Sequence, residues 1–254
     1  MIDNRGHKHP LTRIIREMVD IFGDLGFSVV DGPERELEKY NFDMLNIPAD
    51  HPARDMWDTF WVHDKEAKAK GRSYPERTVL RTHTSPVQAR YMEEHKPPLR
   101  IIVPGKVYRY EATDATHEAQ FYQLEGLMVD RHVTLANLKG VLTTLFTRLF
   151  KTASEVRFRP SYFPFTEPSV EVDVTCFICK RNGAECRVCK GTGWIEIMGA
   201  GAVQPSVLHR VGLSPDEWKG FALGMGIERV AMLRFGVDDV RLFHQGDLRL
   251  VNQF

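Results

Sequence analysis

The stretch GKVYRYEATDATHEAQFYQLEGLMVD, residues 105–130, places charged and amide side chains inside two runs that otherwise favour β-strands. Arg109 and Glu111 lie two residues apart in the first run, and Gln123 and Glu125 lie two apart in the second. Side chains two apart on a strand point to the same face, so a hairpin would gather all four on one surface. Two interpretations are open: a surface lined for a polar ligand, or a solvent-facing hairpin with cross-strand ion pairs.

The four cysteines form a second cluster with chemical potential. Cys176, Cys179, Cys186 and Cys189 fall in CFICKRNGAECRVC, as two C-x2-C pairs. Four thiolates on two such knuckles can meet at one tetrahedral zinc ion. Because four protein ligands leave no open position for water, we expect a structural rather than a catalytic Zn²⁺. A reduced hairpin without metal is the alternative.

Two further segments could contribute to a binding site. GFALGMGIERVAM has small residues ahead of a helix that carries Glu228 and Arg229, and such an entry lets the backbone approach a ligand. In SYFPFTEP, Phe163 and Phe165 are two apart, so on an extended segment both rings would face one side. They could then pack edge-to-face on a phenyl ring, although such a pair is also common in ordinary cores.

Composition limits the class of protein. Lys plus Arg and Asp plus Glu both number 34 among 254 residues, so any contact with a polyanion must be local. No run approaches the ~20 apolar residues of a membrane span, and MIDNRGHKHP lacks the apolar core of a signal peptide. We therefore expect a cytoplasmic protein with no membrane partner.

The elements that must position these residues are helices at both ends of the chain and hairpin-connected strands between them. The pattern predicts one α+β domain over residues 1–254, with an antiparallel β-sheet flanked by helices and a four-cysteine zinc-knuckle hairpin at about 175–193. Strands are predicted at FSVV, in both runs of the 105–130 stretch, and at EVRFRP, VEVDV and WIEIMGAG. Helices are predicted over Pro10 to Leu25, 34–47, a short segment after Thr84, Thr134 to Lys151, and within GFALGMGIERVAMLRFG.

Three of these motifs together resemble a known enzyme class. The turn at Gly32 and Pro33, the Arg-x-Glu strand with its return strand, and GMGIER are similar to motifs one, two and three of class II aminoacyl-tRNA synthetases. RTHTSPVQARYM, DATHEAQFYQLEG, RPSYFPFTEPSVEVDV and the knuckles before GWIEIMGAG further resemble the family of bacterial phenylalanyl-tRNA synthetase alpha subunits. The resemblance covers essentially the whole chain.

The resemblance implies an ATP site and a reaction. Such subunits activate phenylalanine with ATP and Mg²⁺ and transfer it to tRNA(Phe). Arg109 would then bind the α-phosphate, and Arg229 would lie against the adenine and reach the γ-phosphate. The implied catalytic residues are Arg109, Arg229 and His117, and the implied ATP-binding residues are Arg109, Glu111, His117, Phe121, Glu228 and Arg229.

The resemblance also implies a phenylalanine pocket. Phe163 and Phe165 would hold the phenyl ring, with Ala222 as the floor near its para position. The substrate ammonium would be held by residues from three segments. The implied phenylalanine-binding residues are Trp57, His83, Ser85, Gln88, Gln123, Glu125, Phe163, Phe165 and Ala222.

The implied partners are ATP, L-phenylalanine, tRNA(Phe) and a beta subunit, in a heterotetramer, with an alpha–alpha homodimer possible in isolation. The helical arm that such subunits carry ahead of the catalytic core has no counterpart in these 254 residues, as in a trimmed chain or a natural short form. Ala202 and Gln204 also depart from the family pattern. Two alternatives stay open: a stand-alone enzyme that activates phenylalanine or an analogue for another acceptor, and a non-catalytic binding module on the same fold.

Overall fold

A computed structural model of the chain describes residues 6–56, 58–62, 77–152, 155–179, 183 and 185–254. Within these ranges, no helix is long and apolar enough to cross a lipid bilayer. The described helices are α1 Pro10–Asp24, α2 Glu38–Asn41, α3 Ser85–Glu94, α4 Leu135–Phe150, α5 Pro205–Arg210, α6 Ile227–Phe235 and α7 Leu248–Val251. Single 3-10 turns lie at Asp43–Leu45, Pro52–Arg54 and Val240–Phe243.

Two sheets organise the chain. The described strands are β1 Ser28–Val29, β2 Arg35–Leu37, β3 Trp61–Val62, β4 Thr78–Leu80, β5 Leu99–Tyr108, β6 Gln120–Asp130, β7 Val156–Phe163, β8 Thr166–Thr175, β9 Trp194–Val203 and β10 Lys219–Gly226. The large sheet has seven strands in the order β1-β5-β6-β10-β9-β8-β7. The small sheet has the order β2-β4-β3. All described pairings are antiparallel except that of β1 with β5.

One face of the large sheet is covered by long helices. Alternate apolar residues of β8, such as Val172, pack in one buried cluster with Met18 of α1, Leu142 of α4 and Val230 of α6. The helical spacing of apolar residues in α1 and α4 explains this arrangement, because each helix presents one apolar stripe to the sheet. A side-chain capping interaction between Thr134 and Asn137 begins α4.

The other face of the sheet is only partly covered. A second buried cluster joins Val87 and Met92 of α3 with Val207 of α5 and with β5 and β6. A third, smaller cluster contains Phe42, Leu45 and Ile47 next to the small sheet. A cavity lies on this side of the sheet.

The predicted fold class is confirmed, with local differences. The segment 34–47, predicted as one helix, is strand β2, the short helix α2 and a 3-10 turn. Strand β10, at the centre of the large sheet, was not predicted, because its glycines have low strand propensity. At Gly220 the neighbouring strand is too close for a larger residue, because an added Cβ would lie 2.7 Å from the Met128 carbonyl oxygen. Strand β5 begins at Leu99 and ends before Arg109.

Candidate active site

A cavity of about 740 Å³ opens on the helix-poor face of the large sheet. Such a volume is in the range of small-molecule sites. Its wall gathers eight of the predicted phenylalanine-binding residues together with Arg109 and Glu111; the eight are His83, Ser85, Gln88, Gln123, Glu125, Phe163, Phe165 and Ala222. The ninth, Trp57, lies outside the described residues. The ligand-lined interpretation of the hairpin thus agrees with the geometry, since all four of its polar residues line the cavity.

Glu125 on β6 is a buried carboxylate, with 5% of its surface exposed. It accepts hydrogen bonds from the Thr84 backbone N–H at 3.2 Å, from the Ser85 hydroxyl and from the Gln88 amide at 3.4 Å. Burial raises the pKa of Glu125 to about 7, against the opposing effect of these bonds and of the Arg109 charge. Within the described residues no cation forms an ion pair with it, so it can receive a ligand ammonium.

His83 and Gln123 carry buried polar atoms that are poorly paired within the described part of the chain. Both ring nitrogens of His83 and the Oε1 of Gln123 are buried and lack a partner in good hydrogen-bond geometry among the described residues, although the Asn41 backbone makes a weak bond to the His83 ring. Burial, with the nearby Arg109 charge, lowers the pKa of His83 to about 3, so its ring is neutral. Buried polar atoms are rarely left unpaired in folded proteins. Because both side chains line the cavity, a polar ligand bound there could supply the missing partners after small side-chain rotations.

Arg109 follows directly after β5 and contacts the cavity wall. Its backbone N–H donates to the Ala119 carbonyl at 3.0 Å, and its Nε donates to the Thr82 carbonyl at 3.1 Å. The guanidinium carbon lies 5.1 Å from the centre of the Phe121 ring. Burial lowers the pKa of Arg109, but a guanidinium keeps its charge at neutral pH. The arrangement fixes a positive charge beside the cavity.

The aromatic pair lies at a hairpin turn and not on an extended segment, which corrects the sequence-based expectation. Phe163 is the last residue of β7, and Phe165 directly precedes β8. The two rings are nearly parallel, with centres 5.8 Å apart and planes 8° apart. Gly199 on β9 makes room for them, because an added Cβ would lie 2.9 Å from the Phe163 ring. The pair forms an apolar wall of the cavity.

Small residues on β10 keep the cavity open beside this wall. Ala222 lines it and pairs in register with Leu127 of β6 and Gly201 of β9. An added Cβ at Gly224 would lie 3.2 Å from the Cγ of Glu125. The size of the space therefore depends on the absence of larger side chains at both positions.

The other predicted ATP-binding residues lie outside the cavity wall. His117 is exposed in the loop between β5 and β6, with its Nδ1 3.0 Å from Oδ2 of Asp114. Arg229 on α6 is exposed. Glu228 is buried, and both of its carboxylate oxygens accept from the Tyr122 backbone N–H, at 2.9 and 3.0 Å. Glu228 thus links α6 to β6 through hydrogen bonds. The roles of His117, Glu228 and Arg229 in nucleotide binding stay predictions.

The cysteine cluster has the geometry of a zinc site. All four Sγ atoms lie within 4.8 Å of one another, and two pairs are 3.8 and 3.6 Å apart. A tetrahedral Zn²⁺ with ~2.3 Å Zn–S bonds sets its sulfur atoms about 3.8 Å apart, so these thiols fit the ion. Backbone N–H groups, with that of Cys189 contributing most, lower the pKa of Cys186 to about 7, whereas burial raises the pKa of Cys176 to about 12, so the geometry and not the pKa values indicates the ion. The cluster lies in the connection between β8 and β9.

Sequence reasoning missed some residues that build the site. Arg81 is only 2% exposed, and it donates to the Lys106 carbonyl at 2.7 Å and to the Gly32 carbonyl at 2.9 Å. It joins the Gly-Pro turn to β5 and so fixes the strand that precedes Arg109. The available signal was a charged residue in the apolar run TVLR, which is the same signal that marked the hairpin. His51 and Asp58, which also line the cavity, had no such signal.

Comparisons with known proteins agree with this geometry. The family model described as tRNA synthetases class II core domain (F) matches residues 2–254. A pyrrolysyl-tRNA synthetase structure from Desulfitobacterium hafniense is similar in fold, with a TM-score of 0.66 and 17% identity over 93% of this chain and 74% of that one. The sheet and the cavity therefore define a class II aminoacyl-tRNA synthetase core.

More similar relatives narrow the class. The phenylalanine–tRNA ligase alpha subunit of Bacillus subtilis is 53% identical over 251 residues, which cover 98% of this chain and 69% of that subunit. The corresponding subunit of Dehalococcoides mccartyi, strain BAV1, is 55% identical over 249 residues, with 98% and 70% covered. That of Enterococcus faecalis is 54% identical over 253 residues, with 98% and 69% covered. The chain belongs to the family of phenylalanine–tRNA ligase alpha subunits.

Proposed function

We propose that this chain activates L-phenylalanine with ATP and transfers it to tRNA(Phe), as the catalytic alpha subunit of a phenylalanine–tRNA ligase. One observation carries the proposal: a single cavity contains a parallel aromatic pair and a buried carboxylate that has no cationic partner among the described residues. An apolar side chain and an ammonium group are the two ends of phenylalanine. Family membership supports the same substrate.

The amino acid would bind with its two ends in different environments. Phe163 and Phe165 would contact the phenyl ring, and Ala222 would limit its para position. The ammonium would pair with Glu125, whose three hydrogen-bond donors hold the carboxylate in place. The Oε1 of Gln123 would be a second acceptor for that ammonium once the side-chain amide turns toward the cavity that Gln123 lines, because a carbonyl oxygen accepts from N–H donors. Substrate binding would thereby satisfy atoms that the free protein leaves buried and unpaired.

The first reaction would be attack by a phenylalanine carboxylate oxygen on the α-phosphorus of ATP. An O–P bond forms, the bond to the bridging oxygen breaks, and pyrophosphate leaves with the electron pair. The attacking carboxylate is already anionic, so the step needs no general base. It needs alignment and neutralisation of the developing charge, and Arg109 would supply both at the α-phosphate.

The remaining ATP contacts are proposed from the family pattern. Arg229 would contact the adenine and the γ-phosphate, and Phe121 would pack on the adenine. Glu111 would accept from the adenine amino group, His117 would contact phosphate, and Glu228 would support the site through β6. Mg²⁺ bound with ATP neutralises phosphate charge.

The other partners follow from the same proposal. Transfer of phenylalanine would require tRNA(Phe), and a beta subunit would complete the enzyme, as a heterotetramer. The four-cysteine cluster would bind one structural Zn²⁺ that orders the β8–β9 connection. The place of action would be the cytoplasm, where tRNA is charged.

The test is amino-acid-dependent exchange between ATP and pyrophosphate, scanned over the standard amino acids, with and without an added bacterial beta subunit. We expect exchange with phenylalanine and with no other amino acid at comparable concentration. Arg109→Gln should reduce the rate at least about a hundredfold, as removal of a charge-stabilising group does. Arg100→Gln is the matched control, since Arg100 is an exposed arginine on β5.

Charging of tRNA(Phe) by the chain with its beta subunit tests the second step. Exchange without charging, in the presence of that subunit, would indicate an adenylate-forming enzyme with a different acceptor. Absence of exchange in both conditions, from a folded chain that binds phenylalanine, would identify a binding module instead and refute the proposal.

A further inference from the structure

The turn that presents the aromatic pair is fixed from outside its own hairpin. Inside the hairpin, the Phe163 N–H donates to the Ser169 hydroxyl at 3.0 Å, which fixes the end of β7. The Phe165 carbonyl accepts from the Gln204 backbone N–H at 3.0 Å. The carbonyl between these points, that of Pro164, accepts from the side-chain amide of Asn46 at 2.9 Å. In the part of the chain that the structure describes, no other donor reaches it.

Asn46 is 118 residues away from Pro164 in the chain, and it lies between two residues of another segment of the cavity wall. It directly follows the 3-10 turn Asp43–Leu45, and its backbone is left-handed, with φ of 60° and ψ of 22°. Its neighbours Leu45 and Ile47 line the cavity. The amide therefore links two walls that contact the same ligand space.

A third residue decides which way the Asn46 amide points. Arg210 at the end of α5 donates to the Asn46 side-chain oxygen at 3.2 Å, and it also donates to the Asp43 carbonyl at 2.9 Å. A guanidinium can only donate, so the amide oxygen must face Arg210. The NH₂ group is then directed to Pro164, where a carbonyl can only accept.

We propose that Asn46 is a positioning residue for phenylalanine recognition, which sets the Phe163–Phe165 turn relative to the wall segment that contains Leu45 and Ile47, and which is itself oriented by Arg210. The inference rests on the proposed function, since it assigns the turn to the amino acid pocket. Asn46 does not line the cavity. It acts through Pro164, whose carbonyl lies between the two rings along the chain.

Asn46→Asp is the sharpest test. Aspartate has almost the same shape, tolerates left-handed backbone and can pair with Arg210. Its carboxylate has no N–H to donate, so the Pro164 carbonyl would face a second acceptor and lose its hydrogen bond. Loss of one neutral hydrogen bond corresponds to a factor of about five. We expect the KM for phenylalanine in exchange to rise at least ~5-fold, while the KM for ATP and the melting temperature stay near those of the wild type.

Three further variants complete the design. Asn46→Gly keeps the left-handed backbone, removes both side-chain bonds and should also raise the phenylalanine KM. Arg210→Met should give a smaller rise, because the amide loses its orienting donor. The double variant Asn46→Asp with Arg210→Met should be no worse than Asn46→Asp alone, since both act through one bond. Asn252→Asp makes the same chemical change at the end of α7 and serves as the control.

The outcomes separate this inference from the proposed function. Phenylalanine-dependent exchange by the wild type supports the function whatever the variants do. An unchanged phenylalanine KM in Asn46→Asp overturns the positioning role and leaves the function intact. A lower melting temperature with an unchanged KM would show that Asn46 only stabilises the fold, which also overturns the inference.

Discussion

The buried carboxylate of Glu125 predicts that phenylalanine affinity depends on pH near neutrality. Only the ionised carboxylate can pair with an ammonium, and burial raises the pKa of Glu125 to about 7. About half of the free protein is then ionised at pH 7, and roughly a tenth is ionised at pH 6. We expect phenylalanine to bind about tenfold more weakly at pH 6 than at pH 8. His83 stays neutral throughout this range, because its pKa is about 3.

The raised pKa of Glu125 also makes the free energy of unfolding depend on pH, in the direction opposite to that of phenylalanine affinity. A carboxyl whose pKa is raised on folding, here from 4.5 to about 7, favours the folded state while both states are protonated. That advantage is lost as the pH rises from about 4.5 through 7, because the unfolded chain releases its proton first. The difference corresponds to roughly 3 kcal/mol. Glu125→Gln should therefore stabilise the free chain at pH 8 by up to about that amount and weaken phenylalanine binding.

Two measurements test this reasoning on the wild type and on Glu125→Gln. Calorimetric titration with L-phenylalanine at pH 6, 7 and 8 gives the affinity, and urea unfolding at the same pH values gives the free energy of unfolding. The wild type should lose affinity at low pH, and the variant should bind weakly at every pH. Equal pH dependence in both proteins would refute the assignment of the titration to Glu125.

Three more predictions concern the walls of the cavity and the cysteine cluster. Gly199→Ala places a Cβ 2.9 Å from the Phe163 ring, so the phenylalanine KM should rise at least about tenfold, as overpacking costs; an unchanged KM would contradict the role of this wall. Ala222→Gly should raise exchange with para-chlorophenylalanine relative to phenylalanine, and an unaltered ratio of kcat/KM values would count against Ala222 as the floor. Cys179→Ser, or removal of zinc by a chelator, should lower the melting temperature by several degrees and release bound zinc; stoichiometric zinc whose removal leaves that temperature unchanged would disprove a structural role.

The fold class and ten residues of the cavity wall could be predicted from the sequence. The amphipathic periodicity of α1 and α4 and the alternation in β8 give strong signals, because one face of each element is buried against the others. The hairpin that carries Gln123 and Glu125 was recognisable because the segment combines apolar residues with polar residues at a spacing of two, although Arg109 and Glu111 follow β5 and do not lie on it as predicted. The charged and amide side chains that depart from the apolar strand pattern are the ones that line the cavity, so this departure indicated the position of the site.

Other features had no local signal in the sequence. Strand β10 is held in place by its neighbours β6 and β9, and its glycines are selected by close backbone approach and not by strand propensity. The left-handed backbone at Asn46 and the turn at Phe165 depend on contacts between distant segments. Predicting a continuous helix over 34–47 failed for the same reason, since β2 pairs with β4 from elsewhere in the chain.

The position of the aromatic pair at a turn also bears on how the specificity of such an enzyme can evolve. The side chains proposed to contact the phenyl ring come largely from the turn at the end of β7, while the charged groups lie on or beside β5 and β6. A turn can change its sequence or length without disturbing the register of a central sheet. New amino acid preferences could thus arise, or be engineered, by exchanging this short segment and its facing wall, with the adenylate-forming machinery inherited unchanged.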